Sequence, residues 1–202
     1  MTKGPAPPAD IPLDRTPTRR MHRTLTRIVP HLDFIESAAP SFLYTSGRPN
    51  RCNPAGASCL YFSETEGTAL QEYRSGWKGT LGEDQPKLIY RARVRLAAII
   101  DLARRDALVA LGLTAEQLSE SWRLRPTPTR LQLVGFAISR QRGISALRYP
   151  SIATDRSRKP GWNVAMFPES LRATDRVEIL GRSGEALEVL PRASRAERDA
   201  AL

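Results

Sequence analysis

Cysteine and histidine are nearly missing from this 202-residue chain, which has two of each. Cys52 and Cys59 are too few for a disulfide framework, and without a matching His/Cys cluster they do not spell a zinc site. Both are expected to be reduced structural thiols, and no metal is expected. His22 and His31 stand without a Gly-x-Ser-x-Gly elbow, which argues against a Ser-His-Asp hydrolase. A Gly-x-Gly-x-x-Gly fingerprint is missing too, so nothing indicates a dinucleotide held as a redox cofactor. No apolar run approaches the ~18 residues needed to cross a membrane, and the polar, proline-bearing N-terminus is unlike a signal sequence, so a cytoplasmic location is expected.

Acidic residues are the other shortage. Asp and Glu number 21 against 31 Lys and Arg, a formal charge of +10. Such a balance suits a nucleic-acid binder or a ribonuclease. Against that reading, the basic residues are mostly Arg scattered along the chain, with no Lys/Arg block and no RNA-binding aromatic motif. The imbalance peaks between Glu120 and Pro160, where Arg123, Arg125, Arg130, Arg140, Arg142, Arg148, Arg156, Arg158 and Lys159 face only Glu120 and Asp155. Such a surface can meet an acidic partner or draw in an anionic ligand.

What the chain does have is concentrated between Gly47 and Tyr73. Asn53-Pro54-Ala55-Gly56 is a turn sequence, so a loop follows Arg51. Leu60-Tyr61-Phe62 has the aromatic and branched content of a short, largely buried strand ending at Ser63. The Ser63-to-Glu66 spacing matches a capping box and predicts a helix starting there. One turn beyond Ala69, Glu72 can point back toward the strand the chain has just left, which places a carboxylate near Tyr61.

Elsewhere the pattern is that of one domain without solenoid repeats. Five prolines between Pro5 and Pro17 predict a flexible or extended arm over residues 1–20; the domain follows over 21–192, and a tail over 193–202. Leu88 to Asp101 alternates and then runs apolar, as a strand entering a core does. Residues 101–122 look helical with a break at Gly112 and a second capping box at Thr114 to Gln117. Leu133, Val134, Ala137 and Ile138 define a helix over Arg130 to Arg142, with Gly143 placed to cap it. Short strands follow near Val164–Phe167, Val177–Leu180 and Leu187–Leu190, with Ser183-Gly184 as the last turn. The fold class is α+β, with mixed small sheets and packed helices.

Several motifs in a fixed order resemble the signature of the RES domain family: Gly47-Arg48-x-x-Arg51-x-Asn53-Pro54-x-Gly56, Leu60-Tyr61, and Ala69-Leu70-x-Glu72. Thr26-Arg27-Ile28 is similar to its opening strand. Gln132-Leu133-Val134-Gly135, then Gly143-Ile144, leads to Tyr149-Pro150-Ser151, and Gly161 to Phe167 resembles the strand after the serine. The match spans roughly residues 24 to 190. One departure is Cys52, where the family usually has an aromatic residue.

The resemblance implies an ADP-ribosyltransferase-like fold and the toxin of a type II toxin–antitoxin pair, whose antitoxin, of the Xre-MbcA-ParS kind, covers the active site. It implies NAD as a consumed substrate and not a cofactor. The nicotinamide–ribose bond is cleaved and ADP-ribose passes to inorganic phosphate or water, or alternatively to a protein side chain. The catalytic residues carried over are Glu72, Arg51 and Arg27. NAD contacts are assigned to Arg27, Arg51, Tyr61, Ser151 and Asn163, with Arg48 a weaker candidate. A carboxylate suits a reaction passing through an oxocarbenium-like ribose, and arginine forks suit its phosphates. The reading from another class is a basic RNA binder or ribonuclease, against which the scattered charge argues for the toxin alone.

Overall fold

A computed structural model describes residues 11–31, 43–79, 85–123, 125–153, 160–181 and 183–191. Its strands are β1 (Arg19–Pro30), β2 (Leu60–Ser63), β3 (Lys87–Asp101), β4 (Ala146–Pro150), β5 (Trp162–Met166), β6 (Arg176–Leu180) and β7 (Ala186–Leu190). The helices are α1 (Glu66–Trp77), α2 (Arg105–Leu111), α3 (Ala115–Ser119) and α4 (Arg130–Arg140). The α+β class holds, and the strands join into one seven-stranded sheet in the order β1-β2-β5-β4-β3-β6-β7.

The long strand β3 organises this sheet. Tyr90, Ala92, Val94, Leu96 and Ala98 are buried, whereas Arg91, Arg93 and Arg95 are exposed, the two-residue alternation of a strand with one wet face. β1 runs antiparallel along β3 from Arg19↔Ile99 to Pro30↔Lys87. β1 also touches β2 at Thr26↔Ser63, so the path β1-β2-β5-β4-β3 returns to β1 and closes. β4 lies parallel to the end of β3, and the chain between them makes the helical crossover that a parallel pair requires.

Two hydrophobic cores follow from the same alternation. Ala146, Val164 and Met166 point into one with Leu25, Phe62 and Val94. Their neighbours Leu147, Ala165 and Phe167 point into the other, against Leu131, Val134 and Ile138 of α4. A capping box joins Thr129 and Gln132 at the start of α4. At Gly135 an added Cβ would lie 1.7 Å from the Cys52 carbonyl oxygen, so only glycine lets α4 approach the Arg51 loop this closely. Gln132 tightens that contact by donating from Nε2 to the Asn50 carbonyl at 2.8 Å.

Three local expectations are corrected. Ser63 stays in β2, paired with Asn163, and its hydroxyl is used across the sheet. Thr65 caps α1 instead, accepting from the Thr68 amide at 3.1 Å. α4 ends at Gln141, whose amide bonds the Ile138 carbonyl, and Gly143, at φ 123°, turns the connection to β4 without capping the helix. The proline-bearing arm divides: residues 1–10 and the 193–202 tail lie outside the described residues, while Leu13 is buried in the helical core and β1 already begins at Arg19.

Candidate functional site

Glu72 lies on the face of α1 turned toward β4 and β5. Its Oε1 accepts from Ser151 Oγ at 2.7 Å and from Asn163 Nδ2 at 2.6 Å. Ser63 Oγ donates to Asn163 Oδ1 at 2.7 Å, which fixes the amide so that its NH2 faces the carboxylate. The register explains the convergence. Ser63 pairs with Asn163, and Asn163 with Tyr149, two residues before Ser151, so these side chains fall on one face of three adjacent strands. Among the described residues no arginine pairs with Glu72 and no donor reaches Oε2. The carboxylate is oriented by neutral groups through Oε1.

Glu72 lines a cleft of ≈ 290 Å³ together with residues from β1, β2, α1, the Arg51 loop and the segment after α3. Arg27, Arg51, Tyr61, Glu72 and Asn163 all line it, and Ser151 joins through Glu72. The structure thus brings together every site residue expected from the sequence except Arg48, which is exposed in the loop away from the cleft. Arg27 donates from Nη1 to the Tyr61 carbonyl at 2.9 Å, spanning the sparse β1–β2 seam. Arg51 donates from Nη1 to the Leu118 and Glu120 carbonyls, each at 3.2 Å, which positions its guanidinium beside the segment after α3.

Tyr61 anchors the Arg51 loop. Its hydroxyl accepts from the Cys52 amide and donates to Asn53 Oδ1, both at 2.8 Å. Asn53 in turn donates from Nδ2 to the Arg48 and Ala57 carbonyls at 2.8 Å, holding the Asn-Pro turn closed. The hydroxyl is therefore committed to the loop, and only the ring edge and face remain for a ligand. Tyr149 packs edge-on to Tyr61 with centroids 6.5 Å apart. Burial pushes the Cys52 thiol far above its ordinary value, against the smaller opposing pull of Arg51, and both tyrosines also rise mainly through burial. None of these groups is a nucleophile near neutral pH.

Cleft residues that sequence reasoning missed include Tyr149, Ser63, Thr26, Tyr73 and Trp122. Strand alternation from Ser151 and Asn163 would have found Tyr149 and Ser63. Of the basic residues expected near a ligand, Arg123 lines the cleft, while Arg148 lies on the opposite face of β4; Arg156, Arg158 and Lys159 are outside the described residues. Among the described residues no His/Cys/Asp/Glu group is arranged to hold a metal, and no helix is long and apolar enough to cross a membrane.

A closed strand circuit flanked by helices, with Glu72, Arg27, Arg51 and Arg123 around one cleft, defines an α+β domain. Residues 24–188 match the RES domain family model, and the chain belongs to the RES domain family. No curated protein matches it. Among solved structures, the crystal structure of the M. tuberculosis MbcT–MbcA toxin–antitoxin complex is similar in fold, with a TM-score of 0.51, 16% identity, and coverage of 77% of this chain and 80% of that one.

Proposed function

We propose that this chain is the toxin of a toxin–antitoxin pair and that it cleaves the nicotinamide–ribose bond of NAD, passing ADP-ribose to phosphate or water. The observation that carries the reading is Glu72: a carboxylate steered through Oε1 by two neutral donors, lining a cleft that also holds Arg27 and Arg51.

In this reaction the C1′–N bond breaks with its electron pair passing to the nicotinamide ring, which becomes neutral and needs no proton. Positive charge grows on C1′. A fixed carboxylate beside it stabilises that charge, and the same oxygen can hold a ribose hydroxyl. Ser151 and Asn163 make no bond in this chemistry. They prevent Glu72 from rotating away, so that little reorganisation accompanies charge development. Arg51, and Arg27 beside it, offer N–H groups to the pyrophosphate or to an attacking inorganic phosphate, whose oxygen forms the new bond to C1′.

At ≈ 290 Å³ the cleft sits at the lower end of the ~300–1,000 Å³ range of small-molecule sites. It suits nicotinamide, its ribose and the adjoining phosphate, with the second nucleotide crossing the mouth. The exposed Arg123 at that mouth suits an acidic antitoxin segment that closes the cleft. Purified protein incubated with NAD should release nicotinamide, and the other product should be ADP-ribose 1-phosphate with phosphate present or ADP-ribose without it. A folded protein that releases nicotinamide in neither condition rejects the reading. Labelling of one lysate protein far faster than free product forms would move the acceptor to a side chain.

A further inference from the structure

Between Glu120 and Thr129 the chain crosses from α3 to α4 as an exposed connection. Ser121, Arg123, Arg125, Pro126, Thr127 and Pro128 are all exposed, whereas Trp122 is half-buried. Among the described residues Trp122 belongs to neither hydrophobic core. It lines the Glu72 cleft. The guanidinium of Arg123 lies 4.9 Å from the indole centroid and covers one face. The segment is not loose either, since Arg51 Nη1 grips the carbonyls of Leu118 and Glu120 just upstream.

A large apolar ring lining a cleft, outside both cores of the described residues and with a cation against one face, is costly to leave in water and well suited to stack on a planar base. The enclosed part of the cleft is too small for a whole dinucleotide, and the phosphate-seeking Arg51 is tied to the same segment as Trp122. A ligand with its ribose at Glu72 and its phosphates at Arg51 therefore reaches Trp122 with its second base. We infer that Trp122, backed by Arg123, is the adenine-stacking platform, and that it makes the chain selective for a nicotinamide dinucleotide over nicotinamide mononucleotide. This rests on the NAD reading but is tested apart from it.

The test measures AMP binding to the full chain by calorimetry, alongside nicotinamide release from NAD. Trp122→Ala should weaken AMP binding by about 10- to 100-fold, the range for loss of one base–aromatic stack. Trp122→Phe, which keeps a ring, should stay within about threefold of the parent, and Glu72→Gln should bind AMP as the parent does. Turnover should agree: Trp122→Ala lowers kcat/KM for NAD by a larger factor than for nicotinamide mononucleotide. The inference is overturned if folded parent protein does not bind AMP, if Trp122→Ala binds it normally, or if Trp122→Phe loses as much as Ala does, which would mark a loop-packing role. Trp122-dependent AMP binding without nicotinamide release would instead reject the NAD reading and leave the base platform standing.

Discussion

Two groups of carboxylates flank strands β4 and β5, and they are treated in opposite ways. On one face, Glu64 accepts from Arg148 Nε at 2.7 Å and pairs with Arg23 at 2.8 Å, while Asp101 pairs with Arg19 at 2.7 Å and with Arg148 Nη1 at 2.9 Å. Arg148 also stacks on Trp162, 3.9 Å from its centroid. On the other face Glu72 has, among the described residues, only Ser151 and Asn163. One residue of register separates the two: Arg148 from Tyr149, Trp162 from Asn163. A carboxylate shared between arginines has its field cancelled and serves the fold. A carboxylate held by neutral donors keeps its charge for whatever enters the cleft.

Exchange of Glu72 for Gln should separate the two most sharply. Gln keeps the acceptor that Ser151 and Asn163 need and removes only the charge, so NAD cleavage should fall by about 10²-fold or more while thermal stability barely moves. Equal losses of stability and activity would make Glu72 structural. The reverse pattern is expected for Arg148→Met. It strands two partly paired acids, and chemical denaturation should show a loss of about 2–4 kcal/mol, with kcat changed less than in Glu72→Gln. Tyr61→Phe lies between the two groups. It frees the Cys52 amide and Asn53, at a cost of about 1–2 kcal/mol, and should raise KM through a looser Arg51 loop more than it lowers kcat.

The smallest effect is a pH dependence. Burial alone would raise the Asp101 carboxyl, but hydrogen bonds from Arg148 and the Ala103 amide, together with the charges of Arg148 and Arg19, hold it below its ordinary value. The ionised form therefore stabilises the fold above the unfolded aspartate value of about 3.9, and that contribution is lost as pH falls through the lower folded value. The stability gap between the parent and Asp101→Asn should shrink on acidification across that window. A constant gap would mean that the pairing with Arg148 and Arg19 is not what fixes Asp101.

Much of the carboxylate side of this comparison was legible in the chain itself. Turn chemistry placed Arg51 on a loop and the ordered motifs marked Ser151 and Asn163, whereas Glu72, expected to point back at β2, bonds Ser151 and Asn163 beside β4 and β5. The alternation of β3 and the capping box at Thr114 were local signals and were read correctly. The arginine side was not legible, because Glu64, Asp101, Arg19 and Arg148 meet through the β1–β3, β3–β4, β2–β5 and β4–β5 pairings, which join distant segments. Ser63 was assigned to a cap because its local spacing fits one, yet the sheet offered it Asn163 instead. Trp122 escaped notice for a related reason: its loop has no periodicity, and only the fold shows which side of the chain meets the cleft.

The most direct test is a crystal structure of Glu72→Gln with intact NAD. We expect the ribose C1′ beside residue 72, phosphate oxygens on Arg27 and Arg51, and the Ser151 and Asn163 contacts preserved. NAD bound at another surface, or bound here with its C1′ far from residue 72, would contradict the assignment of this cleft.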